Sequence, residues 1–309
     1  MASIRWSRGR TIGRGSEGIV TLATTDHNFS IAVKSCLFSC SKSLQKEREF
    51  LNEFQDCEQI IRCFGADVTR EDDDILYNIL LEYANGGSLA HRIGKTGLPY
   101  FEVKKYSKSI LLGLSFIHGR GFVHRDIKPH NILFVGSEKT AKIADFGFAN
   151  KVGVDNKNRG TPMYMAPESV LDEEYGTGVD IWSFGCTVFE MITGKEVWDC
   201  TGINEPLHLL CKIGMQSPDL HHDNLSKQAE DFLDKCFARD PLSRWTADML
   251  LNHAFLSSDN DVHLDRKRKE LNPYLLTNIV DPCNSTELKP MKLLNRRTNK
   301  RRRKLVEGC

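Results

Sequence analysis

One run of eight residues constrains this 309-residue chain more than any other feature. Residues 124–131 read His-Arg-Asp-Ile-Lys-Pro-His-Asn, and they place a carboxylate (Asp126), an ammonium group (Lys128) and an amide (Asn131) within six residues. These are a potential base, a phosphate-binding cation and a metal-ligating amide. Phosphoryl transfer needs such groups close together, because the transferred group carries dispersed negative charge that the protein must position and neutralise.

Four further motifs accompany this run in a fixed order. They are the glycine-rich stretch Gly13–Val20 and the segment Ile31–Lys34 upstream, and Asp145–Gly147 and Ala166–Glu168 downstream. A glycine-rich stretch alone is a weak signal because glycine turns are common. The order and spacing of all five motifs carry the argument, and together they resemble the protein-kinase signature.

The resemblance covers about residues 6–256 and implies an α+β, bilobal protein-kinase fold. We expect a small β-rich N-lobe at about 6–84 and a larger helical C-lobe at about 85–256, with the boundary at the chain-breaking Asn85–Gly87. Residues 257–309 turn polar and basic without sustained periodicity, which predicts a C-terminal tail.

Hydrophobic periodicity and turn residues predict individual elements within the two lobes. These are a hairpin over 10–34 that turns at the glycine loop and continues into strand Ile31–Lys34, helix Leu44–Phe54, strand Tyr77–Leu81, and helices Phe101–His118 and Asp180–Gly194. The last helix is apolar nearly all round, which places it in the centre of a lobe. The charged run Arg70–Asp74 is predicted to be a solvated loop without a specific role.

Within the kinases, the chain is similar to the MEKK-like class of plant mitogen-activated protein (MAP) kinase kinase kinases. The phrases that carry this similarity are residues 62–65 (RCFG), 81–89 (LEYANGGSL), 159–168 (RGTPMYMAPE) and 244–247 (RWTA). The resemblance implies an ATP-dependent Ser/Thr kinase that phosphorylates a protein substrate, a MAP kinase kinase, in a signalling cascade.

The glycines of the first motif predict a phosphate-binding loop. Gly13, Gly15 and Gly18 lack side chains, so the backbone can approach anionic oxygens closely and meet them with its N–H groups. The resemblance adds further nucleotide contacts, with apolar side chains around the adenine and a hinge that bonds it through backbone groups. The apolar residues are Ile12, Val20, Ala32 and Leu133, and the hinge residues are Glu82 and Ala84.

Lys34 is expected to hold the α- and β-phosphates of ATP. A buried lysine needs an anion to keep its charge, and we choose Glu47 because an apolar residue, Leu51, stands four positions on as in the family pattern. Glu49 and Glu53 remain alternatives.

The resemblance also assigns roles around the catalytic run. Asp126 accepts or orients the substrate hydroxyl, Lys128 neutralises the γ-phosphate, and Asn131 and Asp145 hold Mg²⁺ between the phosphates. Lys128 and the stretch Gly160–Pro162 agree with Ser/Thr specificity.

Four further side chains carry expectations. Thr161 is expected to bond both Asp126 and Lys128, and Glu168 is expected to form a buried, architectural ion pair with Arg244. Ser88 stands where many kinases carry an acid, which weakens the case for a basic-directed substrate choice.

Two features bear on activity and its control. A catalytically weak scaffold with a kinase fold is the alternative reading, but scaffolds usually lose one of the key residues, and this chain retains Lys34, Asp126, Asn131 and Asp145.

Residues 146–160 contain no Ser, Thr or Tyr. The segment therefore offers Arg125 no phosphate acceptor, with Asp155 the weaker substitute, which predicts a constitutively competent kinase.

The net charge of +1 conceals an asymmetry. Residues 260–309 hold 13 Lys and Arg against 6 Asp and Glu, or +7, which leaves −6 for the rest. The basic run 296–304 predicts recognition by the nuclear import machinery. It lacks the interleaved aromatic residues that stack on bases, so specific nucleic-acid binding is not expected.

Composition argues against membrane attachment. No apolar stretch of about 18 residues occurs, the N-terminus lacks a signal-peptide core, and Ala2 stands where myristoylation needs glycine. The ten cysteines form no C-x-x-C pair, so no zinc knuckle or redox motif is predicted. We expect the protein in the nucleus, the cytoplasm or both.

Overall fold

A computed structural model describes residues 4–15, 18–137, 139–154, 160–201 and 205–257. The predicted tail lies outside this part of the chain except for Ser257, and so does Asp155. Both lobes belong to one compact unit. None of the described helices combines the length and apolar character needed to cross a bilayer.

The N-lobe is built on a five-stranded antiparallel sheet with the strand order β1-β2-β3-β5-β4. The strands are β1 (Trp6–Gly15), β2 (Gly18–Thr25), β3 (Ser30–Leu37), β4 (Cys63–Glu71) and β5 (Asp74–Glu82). Val20 lies opposite Lys34 and Leu22 opposite Ala32 in the β2–β3 register. Directly opposed residues share a face of a sheet, so these four side chains lie on one face.

One helix, α1 (Lys42–Glu53), packs against β4 and β5 of this sheet. It buries Leu44, Glu47, Phe50 and Leu51, which recur at helical spacing along one side. The buried stripe is apolar except for Glu47, so the helix carries one carboxylate into the interior.

The C-lobe is mainly helical and includes short two-stranded sheets. Its helices are α2 (Leu89–Arg92), α3 (Tyr100–Gly119), α4 (Pro167–Leu171), α5 (Gly178–Thr193), α6 (Pro206–Met215), α7 (Lys227–Cys236), α8 (Ala247–Leu251) and α9 (Ala254–Ser257). Its strands are β6 (Phe122–Val123), β7 (Ile132–Val135), β8 (Thr140–Ile143) and β9 (Asn150–Lys151), paired as β6–β9 and β7–β8.

Helix α5 forms the centre of the C-lobe, as its all-round apolar character predicts. Fourteen of its sixteen residues are buried, including Trp182 and Phe184. The helix ends before Gly194, whose φ of 72° gives the left-handed C-cap that glycine adopts without penalty.

The predicted bilobal α+β fold is confirmed. The loop predicted over Arg70–Asp74 is wrong in extent, because β4 runs to Glu71 and β5 begins at Asp74. Cross-strand pairing and the Arg8–Glu71 ion pair, with a 2.8 Å N–O distance, override the weak local signal of the charged run. Strand β4 itself was not predicted, since its residues do not alternate cleanly between apolar and polar.

Candidate active site

A cleft of about 670 Å³ brings together most of the polar residues singled out in the sequence. It is lined by the end of β1, by the catalytic loop (residues 124–131) and by the activation segment (residues 145–168). Its polar lining includes Arg14, Asp126, Lys128, His130, Asn131, Asp145, Thr161 and Glu196.

Lys34, on β3, joins the two lobes at this cleft. Its Nζ donates to Glu47 Oε2 on α1 at 2.7 Å and to Asp145 Oδ1 of the activation segment at 2.8 Å. The structure thus pairs Lys34 with Glu47, whereas Glu49 and Glu53 are exposed on the other side of α1. The sequence-based choice of Glu47 over the other two acids rested on the apolar Leu51 four positions after it, and the structure buries both Glu47 and Leu51 on one side of the helix.

The charges of this triad support one another. Burial alone would lower the pKa of Lys34, but the carboxylates of Glu47 and Asp145 outweigh it and raise the pKa above its ordinary value. Burial raises the pKa of Glu47, and Lys34 opposes that shift. Burial also works against the charged form of Asp145, yet the lysine charge holds the pKa of Asp145 below its usual range. The triad therefore keeps a cation where phosphates are expected.

Phe146 anchors the start of the activation segment. Its backbone N–H donates to Glu47 Oε1 at 3.3 Å, and its fully buried ring packs 4.7 Å from the His124 ring and 5.5 Å from the Phe54 ring. The preceding residue, Asp145, has a φ of 64°, a left-handed conformation that is uncommon outside glycine. Tertiary contacts around Phe146 hold that strained backbone in place.

Asp126 and Lys128 are linked through Thr161. Lys128 Nζ donates to Thr161 Oγ1 at 2.7 Å, and that hydroxyl donates to Asp126 Oδ1 at 2.6 Å. Lys128 Nζ also lies 2.8 Å from Asp126 Oδ2. The hydrogen bonds predicted for Thr161 are thus present, and they tie the activation segment to the catalytic loop.

Asn131 closes the catalytic loop on itself. Its Nδ2 donates to the backbone oxygen of Asp126 and to Asp126 Oδ2, both at 2.8 Å, so its amide oxygen is left as an acceptor. Its backbone oxygen accepts from the N–H of Ala144, one residue before Asp145. Asn131 and Asp145, both predicted as metal ligands, therefore lie on connected segments that line the same cleft.

Asp180, at the start of α5, positions the catalytic loop, and its role was missed in the sequence. Its carboxylate accepts the backbone N–H groups of His124 and Arg125, each at 2.8 Å, and His118 Nε2 lies 2.9 Å away. Arg125 has a φ of 68°, so these bonds stabilise a left-handed backbone. A fully buried acid in an otherwise apolar helix was the available signal.

The expected adenine-binding residues lie at the joint between the lobes. The Glu82 N–H donates to the Arg62 carbonyl at 2.9 Å, so any bond from the Glu82 backbone to a nucleotide must use its carbonyl oxygen. The Ala84 carbonyl accepts from Gly87, and among the described residues no group accepts the Ala84 N–H. The pair offers one acceptor and one donor, which suits an adenine edge.

The other residues predicted to contact the nucleotide lie on strands β1, β2, β3 and β7. Ala32 is buried beside Lys34, and Val20 shares their face of the sheet. Leu133 alternates with Ile132 and Phe134, which are fully buried in the core. Ile12, Gly13, Gly15 and Gly18 belong to the glycine hairpin, whose turn residues Ser16 and Glu17 lie outside the described residues.

Two remaining predictions concern side chains outside the reaction centre. Arg244 donates to Glu168 Oε1 at 2.6 Å and Oε2 at 3.1 Å, so the expected buried ion pair is present. Ser88 is the residue just before α2, and its Oγ lies 2.7 Å from His91 Nδ1, so its hydroxyl already has a local partner.

The donor set fits a nucleotide with a phosphate-bound cation better than a protein-caged metal. The described part of the chain holds no group of three or more His, Cys, Asp or Glu that could bind a metal. One carboxylate and one amide oxygen in a cleft match the way Mg²⁺ is bound through few protein ligands and substrate phosphates.

Comparison with known families agrees with this geometry. The family model described as the protein kinase domain matches residues 6–256.

Comparison with individual proteins gives similar results. Mitogen-activated protein kinase kinase kinase 20 of Arabidopsis thaliana is 44% identical over 273 residues, covering 83% of this chain and 79% of that protein. Mitogen-activated protein kinase kinase kinase 18 of the same plant is 41% identical over 266 residues, covering 82% and 78%. The human mitogen-activated protein kinase kinase kinase 4 is 34% identical over 275 residues, covering 84% of this chain but 17% of that longer protein.

Proposed function

This chain belongs to the protein kinase family, and we propose that it is a MAP kinase kinase kinase that transfers the γ-phosphoryl group of ATP to Ser or Thr residues of a MAP kinase kinase. The hydrogen-bonded chain Lys128–Thr161–Asp126 carries the proposal, because it sets a base and a phosphate-binding cation side by side in the cleft. The identities of 41–44% to plant proteins named for this activity support the substrate class.

Each residue of the site has a task in this reaction. Asp126 accepts or orients the proton of the attacking hydroxyl, and Asn131 holds the Asp126 side chain and backbone in place. Lys128 faces the transferred group, where its charge offsets the negative charge that spreads over the phosphoryl oxygens. Lys34, kept charged by Glu47 and Asp145, holds the α- and β-phosphates.

Magnesium is assigned to Asp145 and Asn131. These two residues would hold the cation, whose positive charge would offset the negative charge of the ATP phosphates. Asp145 supplies a carboxylate whose pKa Lys34 holds down against burial, so it is ionised at neutral pH. Asn131 supplies the amide oxygen that its bonds to Asp126 leave free to accept.

Purified protein tests the proposed function directly. We expect it to phosphorylate a catalytically inactive MAP kinase kinase on Ser or Thr in the presence of Mg²⁺ and ATP. The matched control substrate is the same MAP kinase kinase with alanines at the mapped sites, and the matched enzyme control is Asp126→Asn. Phosphorylation of generic proteins but not of any MAP kinase kinase would refute the substrate class and leave the kinase activity intact.

We further propose that the basic tail directs nuclear entry and is dispensable for catalysis. Its charge of +7 over 260–309 and the run 296–304 support this. A fluorescent fusion truncated after Ser258 should lose nuclear signal and keep its kinase activity. An unchanged nuclear signal, or lost activity, would contradict the proposal.

A further inference from the structure

The side chain of Arg125, the residue before the catalytic Asp126, makes contacts within the described part of the chain that the reaction does not use. Its Nε donates to the carbonyl oxygen of Phe148 at 2.8 Å. Its guanidinium carbon lies 4.6 Å from the centroid of the Tyr175 ring, well inside the range of a cation–π interaction. Arg125 and Tyr175 are 5% and 8% exposed, so this contact is largely shielded from water, where such an attraction is strongest.

Arg125 lies close to the activation segment at two positions, Phe148 and Gly160. Phe148 immediately follows the Asp145–Gly147 motif, and its carbonyl oxygen accepts the hydrogen bond from Arg125 Nε. Gly160 has a φ of 134°, and a Cβ atom there would lie 3.0 Å from the Arg125 carbonyl oxygen. The position of Arg125 therefore affects how the segment packs against the catalytic loop.

Tyr175 approaches Arg125 from a different part of the fold. It lies between α4 and α5, outside the activation segment and the catalytic loop. Asp180, five residues later, accepts the backbone N–H of Arg125. The same stretch of chain thus fixes the backbone of Arg125 through Asp180 and its side chain through Tyr175.

We propose that Tyr175 is a positioning residue, whose ring holds the Arg125 guanidinium and so seats the activation segment against the catalytic loop without a phosphate on that segment. The inference rests on the proposed kinase function and specifies its control. Residues 146–160 contain no Ser, Thr or Tyr, so this segment has no residue whose phosphorylation could bind Arg125. The Tyr175 ring contacts the guanidinium without any modification, whereas a phosphate would be present only after phosphorylation.

Four variants of phosphatase-treated full-length protein test the proposal through kcat and KM. Tyr175→Leu keeps an apolar side chain but removes the ring, and we expect kcat to fall about tenfold with KM for ATP little changed, as the loss of a shielded cation–π contact predicts. Tyr175→Phe keeps the ring face and should retain most of the activity. Arg125→Met should lower kcat, and adding Tyr175→Leu to it should cause no further loss, because the ring acts through the arginine.

A matched control separates positioning from general stability. The Arg120 guanidinium carbon lies 3.5 Å from the centroid of the Phe116 ring, and both residues stand outside the catalytic loop and the activation segment. Phe116→Leu removes a ring and a cation–π contact from the same lobe, and it should lower the melting temperature without lowering kcat. Should Tyr175→Leu fail to fold, Arg125→Met breaks the same contact from the other side, with Tyr175→Phe as its folded reference.

Hydrogen exchange measures the coupling between Tyr175 and the activation segment without a kinase assay. Amides in residues 145–160 should exchange faster in Tyr175→Leu than in the parent, Tyr175→Phe or Phe116→Leu. Unchanged exchange and kcat in folded Tyr175→Leu, or additive losses in the double variant, would overturn the inference. A parent protein that transfers no phosphoryl group would contradict the proposed function, while the exchange result would still decide the role of Tyr175.

Discussion

The two sides of the cleft differ in how far they are buried and hydrogen-bonded within the protein. The catalytic loop is buried from His124 to Ile127, and its polar groups are bonded to Thr161, Asn131 and Asp180. Strand β1, which leads into the glycine loop, is exposed at most positions and lies at the edge of the sheet. The difference shows that the catalytic loop is preorganised by burial and hydrogen bonds, whereas the strand that leads into the glycine loop is largely exposed.

Lys34 marks the junction between these two sides. It stands on β3, next to the glycine hairpin, yet its carboxylate partners come from α1 and from the activation segment. Preorganised charge of this kind lowers a barrier because little reorganisation is needed during the reaction. The largest kinetic effects should therefore come from the bonded side and from Lys34, and smaller ones from the glycine hairpin.

The sharpest test of the bonded side is Asp126→Asn. The amide keeps the shape of the side chain but cannot accept a proton, so we expect kcat to fall by roughly 10³-fold, within the range of general-base effects. Thermal unfolding should show a folded protein. Asp73→Asn, in the exposed β4–β5 turn, is the control and should keep its activity. An Asp126→Asn protein with most of the parent activity would rule out the assigned role.

The junction is tested by the pair Glu47→Gln and Glu49→Gln. Glu47→Gln leaves Lys34 with a weaker partner, and we expect kcat/KM to fall roughly tenfold to a hundredfold, since small misplacements of a positioning group have effects of this size. Glu49 is exposed on the same helix, so Glu49→Gln should leave kcat/KM within about twofold. Equal effects of the two substitutions would show that Lys34 does not depend on Glu47.

The sequence predicted the bonded side of the cleft better than the contacts that hold it. The run 124–131 predicted that Asp126, Lys128 and Asn131 lie close together because they form a compact local pattern, and the structure places all three in one cleft. Asp180 and Tyr175 were missed, since they act through distant backbone and side-chain contacts. Nothing in the local spacing around Asp180 or Tyr175 indicates that either one meets Arg125.

A similar limit applies to the fold. Helix α5 was predicted because an all-round apolar segment has one plausible environment. Strand β4 was not, because residues such as Gly65 and Asp67 give no clear alternation and pairing with β5 decides its conformation. For Glu47, the sequence predicted burial on one side of α1, but it did not predict the link to Asp145 through Lys34.

The glycine hairpin should show a smaller, binding-centred effect in Gly18→Ala. Gly18 has a φ of 136°, and a methyl group there would overlap the Ser35 carbonyl oxygen on β3. We expect the hairpin to shift relative to Lys34, raising KM for ATP about threefold to tenfold with a smaller change in kcat. Gly65, with a φ of 141° and open space around it, is the matched control for backbone strain alone.

The comparison of Gly18→Ala with Gly65→Ala isolates the steric overlap. Both variants should lose some thermal stability because both positions disfavour a side chain. Only Gly18→Ala should raise KM for ATP. A matching rise in Gly65→Ala would mean that strain anywhere in the sheet, rather than the Ser35 overlap, governs nucleotide affinity.

The smallest effect concerns His130, the exposed member of the catalytic loop. Burial, followed by the charges of Lys128 and His91, lowers the pKa of His130 from its ordinary value of 6.5. The imidazole is therefore mostly neutral above pH 6.5 and gains its proton at a lower pH than an ordinary histidine, and the protonated ring would place a second cation near Lys128. We expect the ratio of kcat/KM between the parent and His130→Gln to stay constant from about pH 7.5 to 8.5 and to change as the pH falls below about 6.5.

Paired pH–rate profiles in one buffer series check this, with the peptide substrate kept below its KM for both proteins. A ratio that varied between about pH 7.5 and 8.5 would show that His130 takes up a proton in that range, and its pKa would then be raised rather than lowered by the surrounding loop.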